Sequence, residues 1–171
     1  MDQNFQLFSE CLLFRHIERR EIAALFTRVR IRDFAARETI FLVGSPADSM
    51  MIVLRGTVQF RISPKGQEIL IEGEVPIFSS RMSHGEIFGE IALLEGRVRL
   101  AEAIAMTDCT LAIVDRHNVL AFLEQHPGVW QDIVSVLRER LRHMPVGREG
   151  RQQYVGLTEI ALLHEERARM R

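Results

Sequence analysis

Cysteine is scarce in this chain, and the few it has are badly placed for cross-linking or metal binding. Cys11 and Cys109 stand alone, far apart and without a second ligand at metal spacing. A disulfide scaffold and a zinc ribbon are both excluded, and the two thiols read as buried and reduced, as in a cytoplasmic protein. The six histidines, His16, His84, His117, His126, His143 and His164, form no close pair at ligand spacing, so no metal is expected. No apolar run approaches the roughly 18 to 20 residues of a spanning helix, so no membrane association is expected. The first residues, MDQNFQLFSECLLF, lack the basic start and clean apolar core of a signal peptide. Charge of one sign is lacking too: the formal net charge is -1, which offers nucleic acid no general basic field.

Catalytic signatures are equally absent. There is no Gly-x-Ser-x-Gly elbow and no Walker loop, because Gly85-x-x-x-Gly89 is not followed by Lys-Ser/Thr. Acidic pairs such as Glu165–Glu166 sit in charged stretches and read as solvated helix faces. The chain is therefore read as a non-enzyme. It has no internal repeat and no low-complexity tract.

What is present is enough apolar sequence for a real core. Of 171 residues 47% are hydrophobic and 26% charged, which suits one domain with appendages. Residues 18–28 have Ile22, Leu25 and Phe26 on one helical face. Short apolar or alternating runs follow: VRIRDF, TIFLV, MMIVL and TVQFRI, separated by Gly44-Ser45-Pro46, Arg55-Gly56 and Pro64-Lys65-Gly66. Strands punctuated this often predict a compact β-sandwich or roll. Residues 67–72 and 77–82 are read as two more strands, and EAIAM and CTLAIV as the last two. Asp115 is placed to cap a helix from Arg116 to about Gln125. A second helix, about Val129 to His143, carries Trp130, Ile133, Val134, Leu137 and Leu141 as an apolar stripe, with Arg138, Arg140 and Arg142 near its C-terminal dipole end. The tail is read as a linker, 144–156, and a final helix too short to be a DNA reader.

Residues 86–105, EIFGEIALLEGRVRLAEAIA, hold the densest chemistry. Gly89 allows a backbone to approach a ligand closely. Glu90 is an acceptor suited to a sugar hydroxyl. Residues 90–94 can form a helical turn whose free N–H groups face an anion. Arg99 offers a permanent charge and a planar donor fork for phosphate, although an arginine paired with Glu95 or Glu102 on the surface would look the same. Ala101, Ala103 and Ala105 keep the adjoining wall thin.

This segment resembles the phosphate-binding cassette of the cyclic nucleotide-binding domain family, found in catabolite-activator-type regulators, protein kinase A regulatory subunits and cyclic nucleotide-gated channels. The stretches 14–29, 34–60 and 110–142 resemble that family's helical lead-in, first strands and closing helices. The resemblance implies a mainly β fold with flanking helices (α+β), a double-stranded, jelly-roll-like β-roll. It implies a lead-in over 1–28, a roll over 29–115, lid helices over 116–143 and a tail over 144–171. It also implies a cyclic nucleotide, with the phosphate at Arg99 and the amides of Leu100 and Ala101, and the ribose at Gly89, Glu90 and Ile91. Val58, Met82, Ile87 and Leu94 would line the wall, although core packing explains each equally well. Leu137, Arg138 and Leu141 would belong to the lid.

Leu100 departs from the Ser, Thr or Ala usual there and cannot offer guanine a hydroxyl, which favours cAMP over cGMP. Glu102 departs from the usual Thr and is expected to point outward. The excursion over 67–82 is longer than the family needs. The implied function is a cytoplasmic cAMP sensor that acts on an effector protein through lid movement, with the lid stripe a candidate homodimer seam. Two alternatives stay open. One is an interaction module that has lost its nucleotide; the other is a catabolite-activator-type regulator without its DNA-binding part.

Overall fold

The computed structural model describes residues 2–62, 78–90, 98–99 and 101–142, without the side chains of residues 62, 78, 79, 141 and 142. Ile91, Leu94, Leu100, the side chain of Leu141, the turn over 91–94, the predicted strand at 67–72 and the tail from 143 onward lie outside the described residues.

The chain begins with α1 (Gln3–Ser9), whose first turn is capped by Asp2 accepting from the Asn4 N–H at 2.9 Å. A single turn of 3-10 helix, Leu12–Phe14, and α2 (Arg19–Phe26) complete the lead-in. Among the described residues eight strands follow: β1 (Arg30–Phe34), β2 (Thr39–Phe41), β3 (Ser49–Arg55), β4 (Val58–Ile62), β5 (Phe78–Met82), β6 (Ile87–Phe88), β7 (Glu102–Ala105) and β8 (Cys109–Asp115). Two helices close the described chain, α3 (Arg116–Gln125) and α4 (Pro127–Arg142). The strands form two four-stranded antiparallel sheets, ordered β1-β8-β3-β6 and β2-β7-β4-β5. The fold is mainly β with flanking helices.

Strand β3 shows why its sequence reads as an unbroken apolar run. Successive side chains point to opposite faces of a sheet. Met51 and Val53 enter the cluster between the sheets with Val58, Met82, Phe88 and Leu111. Met50, Ile52 and Leu54 enter a second cluster under the helices, with Phe8, Leu13, Trp130 and Ile133. With both faces covered, no position in the strand tolerates a solvated side chain, and only Arg55 at its end is not fully buried.

Two local expectations change. Helix α4 starts at Pro127 rather than Val129, because proline lacks only an N–H that a first turn leaves unpaired anyway. Asp115 holds the N-cap position of α3 in extended geometry but makes no side-chain cap bond. Its carboxylate pairs with Arg30 at 2.6 Å, across the β1–β8 edge.

Candidate functional site

The Gly-x-Pro-Ala-Asp turn after β2 anchors the backbone of Arg99. The Arg99 N–H donates to the Ser45 carbonyl at 2.9 Å, and the Gly44 N–H donates to the Arg99 carbonyl at 2.7 Å. Pro46 bridges Val98 beside them. Gly44 adopts φ +78° to make this turn, a conformation that costs glycine little. A distant turn thus fixes the direction in which the arginine leaves the backbone.

The Arg99 side chain runs inward and is only 5% exposed. Nη2 donates to the Ser49 carbonyl at 2.9 Å and to the Ser49 hydroxyl at 3.2 Å. Nη1 donates to the Gly89 carbonyl at 3.3 Å. The guanidinium lies over the Phe41 ring, 4.3 Å from its centroid, where the ring quadrupole attracts a cation. Phe41 is itself set by Phe60 and Phe88, with centroids 6.1 and 5.9 Å away. Gly89, at φ +76°, is packed so tightly that a Cβ would stand 2.5 Å from Arg99 Nη1.

These partners are neutral, so among the described residues the buried guanidinium has no carboxylate in direct contact. Burial pulls the Arg99 guanidinium below its ordinary pKa, against the opposing pull of Asp48 and Glu90. Among the described residues its buried Nε–H has no hydrogen-bond partner. An unpaired buried donor on a cation is the kind of group an anion satisfies.

Nine residues before Arg99 in the chain, Glu90 is 2% exposed and is held by Arg140 of α4, whose Nη1 donates to Oε1. Arg140 Nη2 donates to the Ile87 carbonyl and stands 3.7 Å from the Met82 sulfur. The predicted ribose acceptor therefore meets the closing helix directly.

The other expected site residues fall as follows. Ala101 is fully buried beside Arg99, and Val58, Met82, Ile87 and Leu137 are buried in the core. Leu137 enters the cluster under the helices, while Arg138 is exposed. Arg138 cannot share the face of Arg140, since two residues span about 200° of helix. Glu102 is not in water: it is 5% exposed and pairs with Arg61 at 2.8 Å. It is the register partner of Arg61. It still lies on the face opposite Ala103 and Ala105, which enter the cluster between the sheets, as strand alternation requires.

The sequence reading missed Phe41, Ser49, Met51 and Arg140. Ser49 had a usable signal, a polar residue opening an apolar strand. Arg140 had one too, three residues beyond Leu137 and so on the buried side of the helix. Phe41 carried none that distinguishes it from core. Among the described residues no cluster could hold a metal ion, and no helix is long and apolar enough to cross a membrane.

Comparison with known proteins bears on this geometry. The family model of the cyclic nucleotide-binding domain matches residues 31–126. A CRP-like cAMP-activated global transcriptional regulator of Mycobacterium tuberculosis is 26% identical over 138 residues, covering 80% of this chain and 58% of that protein. The catabolite activator protein of Thermus thermophilus superposes with a TM-score of 0.63 at 25% identity, over 76% of this chain and 58% of that one. The regulatory domain of Toxoplasma gondii PKA, crystallised with cAMP, gives a TM-score of 0.63 at 22% identity, over 80% and 49%; at that identity it speaks for the fold alone. The chain thus spans about half the length of these relatives.

Proposed function

With residues 31–126 matched, the chain belongs to the cyclic nucleotide-binding domain family, and we propose that it is a cAMP-preferring sensor that signals to a partner protein through movement of α4. The carrying observation is the buried Arg99, whose Nε–H has no partner among the described residues, beside Gly89, where a side chain would collide. That donor set fits a cyclic phosphodiester: one fixed cation for the anion, backbone close by, and a buried carboxylate for the sugar.

In this reading Arg99 and the amides of Leu100 and Ala101 take the phosphate, and Glu90 takes the ribose hydroxyl, with Gly89 and Ile91 beside it. Val58, Met82, Ile87 and Leu94 form the wall. Leu100 has no hydroxyl for a guanine amino group, hence the preference for cAMP. Nucleotide shifts the position of α4, a population shift between two states of the helix, and the partner reads the altered surface. The division into lead-in, roll, lid and tail belongs to this proposal. So do a cytoplasmic site of action, a role without catalysis, and no binding to nucleic acid. A homodimer along α4 would have to use more than its apolar stripe, since Trp130, Ile133, Val134 and Leu137 are spent on the chain's own core.

A second reading, an interaction module without nucleotide, is favoured by one observation. Both Nη atoms of Arg99 already donate to Ser49 and Gly89. Calorimetric titration of the protein with cAMP and cGMP separates the two. Saturable heat with cAMP, at least as tight as with cGMP, supports the sensor. No heat and no thermal shift with either nucleotide at millimolar concentration leaves the interaction module. A cGMP preference of about tenfold, or about 1.4 kcal/mol, refutes the assigned role of Leu100.

A further inference from the structure

Resting on the reading that Glu90 receives the ribose, we propose that Arg140 is an internal occupant of the ribose end of the site: it fastens α4 to the cassette without nucleotide, and nucleotide competes with it.

Three contacts carry this. Arg140 donates to the Glu90 carboxylate with one nitrogen, and to the Ile87 carbonyl with the other, which also lies 3.7 Å from the Met82 sulfur. Glu90, Ile87 and Met82 are the acceptor and two walls assigned to the ligand. A guanidinium touching all three stands in the space that a sugar needs. Its side chain is 19% exposed and that of Glu90 2%. A carboxylate buried this deeply must have a donor. Arg140 supplies it in the free protein; a ribose hydroxyl supplies it in the complex.

The same contact explains what it restrains. The rest of α4 is held by Trp130, Ile133, Val134 and Leu137 in the core, and by an Arg15–Asp132 pair at 2.5 Å whose arginine is 54% exposed. An exposed pair contributes little. Arg140 sits in the last turn of α4, beyond the apolar stripe described, so it governs the end of the helix rather than its docking. Displacing it frees that end. An ordinary ligand contact has the opposite sign: removing it weakens binding, whereas removing a competitor strengthens it.

The test uses the full chain with Arg140→Gln, with Arg140→Lys as a second variant that keeps the charge but loses the fork. Ser135→Ala, exposed on the same helix, is the control. Calorimetry with cAMP should show Arg140→Gln binding at least about fivefold more tightly than wild type, the lower end of ordinary coupling between sites, with Arg140→Lys between them. Amide exchange in nucleotide-free protein should be faster in the last two turns of α4 in Arg140→Gln, and unchanged in Ser135→Ala. Equal or weaker cAMP binding in Arg140→Gln, with wild type binding, overturns the proposal. If neither protein binds a cyclic nucleotide, the proposed function has failed, and exchange alone decides: faster exchange upholds the hold of Arg140 on the helix, and unchanged exchange overturns it.

Discussion

Replacing Gly89 by alanine tests the placement of Arg99 with one methyl group. Gly89 lies at φ +76°, and its new Cβ would stand 2.5 Å from Arg99 Nη1 and 3.2 Å from the Ser49 carbonyl. The left-handed backbone costs an alanine about 1–2 kcal/mol. Relief of the contact is not free, although Nη1 ends a long side chain. Nη2 is tied to Ser49 at 2.9 Å and the guanidinium rests on Phe41. Swinging away sacrifices hydrogen bonds to a charged group, worth about 1.5–3 kcal/mol each before partial replacement. The sum is a stability loss of about 2–4 kcal/mol and a fall in cAMP affinity of at least about tenfold. Gly85→Ala separates the two causes. Gly85 has nearly the same φ, +81°, but its nearest neighbour would be 3.9 Å away. It should lose about 1–2 kcal/mol of stability and no affinity. Urea denaturation and calorimetry on both variants give the numbers. Equal cAMP affinity in Gly89→Ala and Gly85→Ala would refute the idea that Gly89 cradles the phosphate arginine.

Four further outcomes are expected. Arg99→Ala should fold and lose about 2–5 kcal/mol of cAMP binding by calorimetry, the usual cost of deleting one partner of a buried charge pair; unchanged affinity would remove Arg99 from the site. Phe41→Leu keeps an apolar side chain beneath Arg99 but removes the ring, so cAMP affinity should fall by about 0.5–2 kcal/mol while binding of uncharged adenosine, where measurable, stays level. Leu100→Thr should improve cGMP relative to cAMP in the same titration. The Cys11 thiol is pushed from 9.0 up to about 11 by burial, so the folded state keeps its proton where the unfolded state loses it. Its contribution is fully present below about pH 9 and is lost as pH rises towards 11, by up to about 3 kcal/mol, and native Cys11 should resist alkylation at pH 8 until the protein unfolds.

The roll was legible because its signals are local and repeated. Alternation in TVQFRI, the apolar run MMIVL and the turn at Gly44-Ser45-Pro46 each name an element without help from the rest of the chain. The candidate site was legible for a different reason: Gly89, Glu90 and Arg99 lie within one short segment, so a linear pattern records them. What could not be read is what meets that segment from elsewhere. Phe41 and Ser49 come from β2 and the start of β3, and Arg140 from the last turn of α4. Their role exists only after the sheets have closed. Asp115 illustrates the same limit on a smaller scale. Its position suits a cap, but the cross-strand partner Arg30 wins its carboxylate. Glu102 was expected to point outward because a carboxylate beside a phosphate is repelled, yet nothing local announced that Arg61, its partner in register, would pair with it in a buried position.

Charge is distributed unevenly over Arg99 and Glu90, the two side chains proposed to hold the nucleotide. Among the described residues Arg99 touches only neutral acceptors and a ring, and carboxylates act on it through space. Glu90, by contrast, is neutralised in direct contact by a cation from the closing helix. In the proposed reading the positive end of the site awaits an anion, while its negative end is already engaged by Arg140. A cyclic nucleotide, in that reading, brings an anion for the first and only a hydroxyl for the second, so it would gain at Arg99 and compete at Glu90. On that proposal the carboxylate links occupancy to helix position. Linkage is reciprocal: by whatever factor the hold of Arg140 weakens nucleotide binding, bound nucleotide weakens the hold of Arg140 by the same factor. A tight fastening makes a poor binder with a large response, and a loose one makes a good binder that moves little. On the proposal made above, one residue, Arg140, would set that balance without touching the phosphate.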